Sequence, residues 1–163
     1  MHENYLSFSS DERFDLILLI SCDFGALSPA QRTQLLRIFA GHLSEHGTIL
    51  LDVWSMAAFS ERHEDAQWEH HVGNGFWAPE DHFVFINSYL YPAERVVLDK
   101  FTVSTEERDF TIYNWNQFYD KEALAQEFAS SGLAIKGWYA NVTGATYDED
   151  VQTIAIVARK SST

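Results

Sequence analysis

Apolar positions follow two different periods along this chain. "FDLILLI" (residues 14–20) is apolar almost without a break. Continuous rather than alternating apolarity predicts a parallel strand buried on both faces under helices. Ser28 and Pro29 then predict a helix start: a serine hydroxyl accepts from the free amides of the first turn, and proline fits the next position. Leu35, Leu36, Phe39 and Leu43 fall at helical spacing, and Gly47 predicts the stop. "TILLDVW" (residues 48–54) reads as a second buried strand. Strand, helix and strand in this order predict a parallel βαβ unit.

From residue 55 the pattern loosens. "MAAFSERHEDAQWEHH" reads as a helix with a polar face, and "VGNGFWAPED" as a loop broken by two glycines and a proline. The period then becomes two. In "HFVFINSYLYPAERVVLDKFTVSTEERDFTIYNWNQF" three runs rich in β-branched and aromatic residues are separated by "PAE" and "STEER", which predicts an antiparallel meander. Asp120 predicts the cap of another short helix, with Leu124 and Phe128 inward and Gly132 ending it. Residues 133–139 and 153–159 predict two last strands joined by an acidic loop. The changes of period near residues 55 and 118 predict one domain over residues 1–163, with residues 55–118 inserted in it.

Composition narrows the function classes. The 163 residues are 46% hydrophobic and 15% aromatic, which suits a globular domain with a real core. A net charge of -13 repels phosphate backbones and anionic membranes, so neither nucleic acid nor a membrane is the expected partner. Cys22 is the only cysteine, which excludes an intrachain disulfide and predicts a reducing, cytoplasmic setting. Residues 1–15 lack the basic start and apolar core of a signal peptide. No apolar run is long enough to span a membrane.

Two local patterns point to chemistry and fail on context. His63, Glu64, Glu69, His70 and His71 crowd one stretch, but they hold no pair of histidines four apart and no H-E-x-x-H. They read as a solvated helical face, with no metal expected. Gly73, Gly75 and Ala78 fit G-x-G-x-x-A, but that fingerprint needs a buried strand before it and a helix after it. Here "WEHHV" precedes, and Pro79 and a β-rich run follow.

The order of elements, carried by "FDLILLISCDFGALSPAQRTQLLRIFAGHLSEHGTILLDV", resembles the middle of a class I S-adenosylmethionine-dependent methyltransferase. Phe14, Asp15, Leu16 and Ile17 match the Phe-Asp-Leu-Ile that often opens the family's fourth strand. "HLSEHGTILLD" stands at the family's turn into the fifth strand. "YDKEALAQEFASSGLAIKGWY" and "TIAIVARK" resemble its last helix and final antiparallel strand pair. The resemblance implies an α/β fold: the C-terminal half of a Rossmann-like sheet with an inserted antiparallel meander. It implies S-adenosylmethionine as the cofactor of the full-length protein and methyl transfer to a small-molecule acceptor. The family's Gly-rich turn and ribose-binding acid would lie before the strand at residue 14. This chain is therefore expected to be a C-terminal portion, inactive alone and not retaining the cofactor.

Ligands of open α/β sheets bind beyond the carboxyl ends of the strands. By resemblance, the backbone at Ser21 and Cys22 lines the methionine part of the cofactor, and Asn4 in "NYLSF" lies near the adenine. Phe24 covers the sulfonium, since an aromatic face attracts a cation. Asp23 is the candidate catalytic residue, bonding a donor of the substrate or accepting its proton. Trp54 at the next strand end, with Phe76, Trp77, Tyr113 and Trp115 in the insertion, would line the substrate as an aromatic cage. Methyl transfer needs alignment rather than a nucleophile, and no G-x-S-x-G is present. Asp52 interrupts an apolar strand and either serves this site or is satisfied within the sheet. The competing function is a non-enzymatic binding or dimerisation module. An apolar flank at residues 14–20 and an aromatic meander over residues 83–115 predict a homodimer that buries one or the other.

Overall fold

The computed structural model describes residues 4–161; residues 1–3, at the head of the stretch without signal-peptide character, lie outside them. The elements run β1 (Phe14–Leu19), α1 (Pro29–His42), β2 (Leu43–Ser55), α2 (Met56–Ser60), β3 (Asp65–His71), β4 (His82–Tyr91), β5 (Val96–Thr105), β6 (Asp109–Tyr119), α3 (Lys121–Ala129), β7 (Leu133–Tyr139) and β8 (Thr153–Lys160). They form two compact units. The first takes the chain up to Ser60 and again from Phe118; the second is residues 61–117.

In the first unit α1 opens on a reciprocal cap. The Ser28 hydroxyl accepts from the Gln31 amide at 3.4 Å, and the Gln31 side chain accepts from the Ser28 amide at 2.9 Å. Asp120 caps α3 by accepting from the Ala123 amide at 2.8 Å. Beyond α3, Gly132 adopts φ +74°, a conformation that costs glycine little. β1 and β2 pair in parallel, β2 and β8 antiparallel, and β8 and β7 antiparallel, in the order β1–β2–β8–β7. The last two residues of β6, Phe118 and Tyr119, pair in parallel with Trp54 and Ser55. Since β8 occupies one edge of β2 over residues 49–54, this short pairing lies on the same edge as β1, just past its carboxyl end.

The core fills one face of that sheet. Ile49, Leu51 and Val53 from β2 and Ile154, Ile156 and Ala158 from β8 pack against Leu35, Leu36 and Phe39 of α1 and Leu124 and Phe128 of α3. The other face of β1 is open: Leu16 and Leu18 are each 54% exposed and Ile20 is 47% exposed. The expectation of a strand buried on both faces is thus corrected, because α1 and α3 cover only the side that Ile17 and Leu19 share with the core.

The helix also ends earlier than its apolar spacing predicts. It stops at His42, whose ring Nδ1 donates to the Ile38 carbonyl while Nε2 accepts from the Ser10 amide. Gly47 lies inside β2, at an irregularity in the register with β1. A Cβ there would meet the Phe14 carbonyl oxygen at 2.7 Å and the Leu43 side chain at 2.8 Å. This glycine serves a close backbone approach rather than a helix stop.

The second unit is an antiparallel meander in the order β3–β4–β5–β6. It has four strands, not three. The expected helix over residues 56–71 is corrected: α2 keeps only its first turn, and residues 65–71 form β3. Cross-strand pairing outweighs local propensity here. Trp68 stands opposite Phe85, and His70 opposite Phe83 with its ring stacked at 4.3 Å. The histidine-rich stretch is therefore a strand rather than a helical face. Among the described residues no group of three or more His, Cys, Asp or Glu is placed to hold a metal ion. Residues 73–78 lie in the connection from β3 to β4, where the Asn74 and Gly75 amides donate to the Pro79 and Ala78 carbonyls. The G-x-G-x-x-A match is thus a hairpin loop, with no helix after it.

The meander's two faces differ. Trp68, Phe83, Phe85, Tyr89, Tyr91, Tyr113 and Trp115 share one face by register, and all seven are exposed. Val84, Val97 and Val103 on the other face are fully buried. No helix among the described residues is long and apolar enough to cross a membrane.

Candidate active site at the strand ends

β1 delivers Ser21, Cys22 and Asp23 to its carboxyl end, and β2 delivers Trp54 and Ser55 to the adjacent one. The chain turns there through two consecutive left-handed residues, Ser21 at φ 74° and Cys22 at φ 60°. Non-glycine residues rarely adopt this conformation, and a pair of them needs support from the surroundings. Asp52 supplies it. Its Oδ1 accepts from the buried Cys22 amide at 2.9 Å, and the side chain is nearly buried itself. The carboxylate that interrupts the apolar strand therefore props the turn at the end of β1.

The turn leaves Ser21 and Asp23 exposed and Cys22 and Phe24 buried. The Cys22 thiol is pushed up to about 12, first by burial and then by the negative charges of Asp52 and Asp23. It packs as a small apolar group, and its burial disfavours the thiolate. Native Cys22 is expected to resist a thiol reagent at pH 8 and to react fully in denaturant. Rapid labelling of the folded chain would show that the turn opens.

Phe24 corrects an expectation about the site. Its ring is fully buried, with ring centroids 6.2 Å from Tyr119 and 6.0 Å from Phe128. No face of it is open to a sulfonium. The Arg32 guanidinium lies 5.9 Å from the Phe24 ring and 5.8 Å from Tyr119. Arg32 is itself buried and holds Glu127 through Nε at 3.0 Å and Nη2 at 2.9 Å, while Nη1 donates to the Leu27 carbonyl at 2.7 Å. The Tyr119 hydroxyl donates to the same Glu127 at 3.3 Å. Burial, then Glu127, keeps that phenol protonated far above its ordinary range. This network is the floor beneath the turn.

The other sequence-derived candidates lie as follows. Asn4 caps a short 3-10 turn by accepting from the Leu6 amide at 2.9 Å, and the Gln34 side chain of α1 donates to the Leu6 carbonyl at 2.6 Å. Burial and then the charge of Asp23 raise the Tyr5 phenol of that turn. Trp54 is 36% exposed at the end of β2. Ser55 donates through Oγ to the Val151 carbonyl at 2.5 Å and accepts from the Ala58 amide at 3.1 Å, tying the acidic loop to the start of α2. Phe76, Trp77, Tyr113 and Trp115 belong to the second unit and do not form one cage. Trp77 packs on Phe101, centroids 5.0 Å apart, whereas Tyr113 and Trp115 lie on the opposite face of the meander. Phe76 is 88% exposed.

The floor of Arg32, Glu127 and Tyr119 carried no sequence signal that linked its members. Asp52 did carry one, as a lone carboxylate in an apolar strand.

No family model matches the chain, and no curated protein matches it. Solved structures do. The CcbJ methyltransferase from Streptomyces caelestis is 12% identical with a TM-score of 0.73, over 98% of this chain and 62% of that one. An S-adenosylmethionine-dependent methyltransferase from Clostridium acetobutylicum ATCC 824 is 13% identical with a TM-score of 0.73, over 98% and 63%. The sugar N-methyltransferase KedS8 from Streptoalloteichus sp ATCC 53650 is 16% identical with a TM-score of 0.62, over 98% and 61%. At these identities the likeness is one of fold, and the chain spans about three-fifths of each structure's length. The chain has the α/β fold of the C-terminal portion of class I S-adenosylmethionine-dependent methyltransferases, meander and final antiparallel pair included.

Proposed function

We propose that this chain is the C-terminal, substrate-facing part of an S-adenosylmethionine-dependent methyltransferase acting on a small molecule. The propped turn after β1, in a fold shared with solved methyltransferases, is the observation that carries the reading. S-adenosylmethionine supplies a methyl group already activated by its sulfonium, so the protein's task is alignment and the handling of one proton. Asp23 is the exposed carboxylate at the turn, able to hold a substrate donor or accept its proton. Trp54 offers an apolar surface at the adjacent strand end, and Ser21 an exposed hydroxyl.

The described residues do not fit the whole cofactor. The Cys22 amide is committed to Asp52, the Phe24 ring is buried, and the glycines at 73 and 75 close a hairpin. A Gly-rich turn and a ribose-binding acid have to come from the rest of the full-length protein, and the chain alone is inactive. Calorimetry of residues 1–163 with S-adenosylmethionine is expected to give no binding in the micromolar range. A micromolar Kd would overturn the partial-site reading and point to a site completed between two copies.

The exposed aromatic face of the meander favours a second reading, a binding or dimerisation module. The two are compatible, since a part that keeps the fold can lose the activity. The single buried cysteine suits the cytoplasm.

A further inference from the structure

The second unit holds a polar cavity of about 350 Å³ that the methyl-transfer reading does not use. Strand register builds it. Asp65, Ser88 and Asp99 stand in one row across β3, β4 and β5, and Gln67, Ile86 and Phe101 form the next row on the same face. Glu61, Arg62 and His63, which precede β3, complete the wall. One row offers carboxylates and a hydroxyl; the other offers a ring, a branched alkyl group and an amide. That division suits a small amphipathic molecule, with its C–H face on Phe101 and its polar edge along the carboxylates.

Asp99 is the anchor. It is 8% exposed, and its Oδ1 accepts from Arg62 Nη2 at 2.5 Å and from Ser88 Oγ at 2.6 Å. A buried carboxylate needs such partners. The arginine is the looser of the ion pair, its side chain 37% exposed against 11% for Asp99. The wall carries three carboxylates, Glu61, Asp65 and Asp99, against one guanidinium. Its field therefore favours a cation, and Arg62 is the internal cation that a ligand would replace.

We propose that this cavity binds a small hydroxylated amine, whose ammonium takes the place of Arg62 at Asp99 and whose hydroxyls meet Asp65, Ser88 and Gln67. The proposal rests on the second unit alone, so it stands or fails separately from the methyl-transfer reading.

Isotope-labelled chain, residues 1–163, titrated with glucosamine, glucose and glucuronate, tests it by amide chemical shifts. Glucosamine is expected to move the amides of Asp65, Ser88 and Asp99, with glucose about tenfold weaker because it lacks the charge-assisted bond. Asp99→Asn is expected to remove the preference for the amine. Arg62→Ala is expected to tighten glucosamine by about threefold to tenfold, since it removes the competing cation from a partly exposed pair. That variant keeps the test decisive if Asp99→Asn does not fold, because it leaves the Ser88 bond in place. The proposal is overturned if glucosamine gives no shifts up to about 50 mM, weaker than any specific ligand of use. Equal binding of glucose overturns it too, as does unchanged or weaker amine binding in Arg62→Ala. A preference for glucuronate that Arg62→Ala abolishes would assign the cavity to an anion instead.

Discussion

Phe24→Ala is expected to lower the unfolding free energy by about 3–5 kcal/mol, the range for removing a buried aromatic ring. Resemblance puts this ring over a sulfonium. The structure instead closes it in among Tyr119, Phe128 and the Arg32 guanidinium. Its loss leaves a cavity directly under the strand-end turn, with the Arg32 guanidinium at its edge. Asp23→Asn, one residue away, touches an exposed side chain and is expected to change stability by no more than about 0.5 kcal/mol. Urea unfolding followed by circular dichroism separates the two. A Phe24 variant as stable as the parent would place the ring in an open site after all. An equally large loss in Asp23→Asn would make that carboxylate part of the structure rather than of the chemistry.

Sedimentation of the chain at micromolar concentration is expected to show a homodimer. Two apolar surfaces are available, the open face of β1 and the aromatic face of the meander. Electrostatics favours the second. Two copies of a chain with net charge -13 repel each other, and they approach best through a face with little charge. The strand residues sharing that meander face include seven exposed aromatics, and their charges are Lys100 and Asp109. Aromatic residues with few charges are the composition of an interface centre. Phe85→Asp is expected to weaken association by about thirtyfold or more, the effect of losing a central anchor, while Leu18→Asp leaves it unchanged. The reverse result would move the interface to β1. A monomer at these concentrations would remove the dimer altogether.

The βαβ unit, both helix caps and the last strand pair were legible because each is specified locally: a serine before a proline, an aspartate three residues before the amide it caps, β-branched runs between turns. β3 was not legible. In "DAQWEHH" every residue but the last is exposed, so burial imposes no apolar alternation on it. Its strand character comes from Phe83 and Phe85 on the neighbouring strand. Gly47 misled for a similar reason, since the contact that demands a glycine there is the distant Phe14 carbonyl. At the site, the position of Asp23 at a strand end followed from sequence. The burial of Phe24 did not, because it depends on Tyr119 and Phe128 from beyond the insertion. The uninterrupted apolarity of β1 describes a strand covered on both sides, whereas the described chain covers only one.

The split of the first unit by the second also bears on how the chain folds as it leaves the ribosome. β2 finds its antiparallel partner only in β8, at the far end of the chain, with Leu51 opposite Ile156. The meander, by contrast, pairs each strand with the next one made. Local pairing forms quickly, and distant pairing waits for loop closure. During synthesis the second unit is therefore complete while β1, α1 and β2 still lack the strands and helix that finish their core. The nascent first unit is the aggregation-exposed stage of this protein's life, and its most apolar strands are the ones kept waiting.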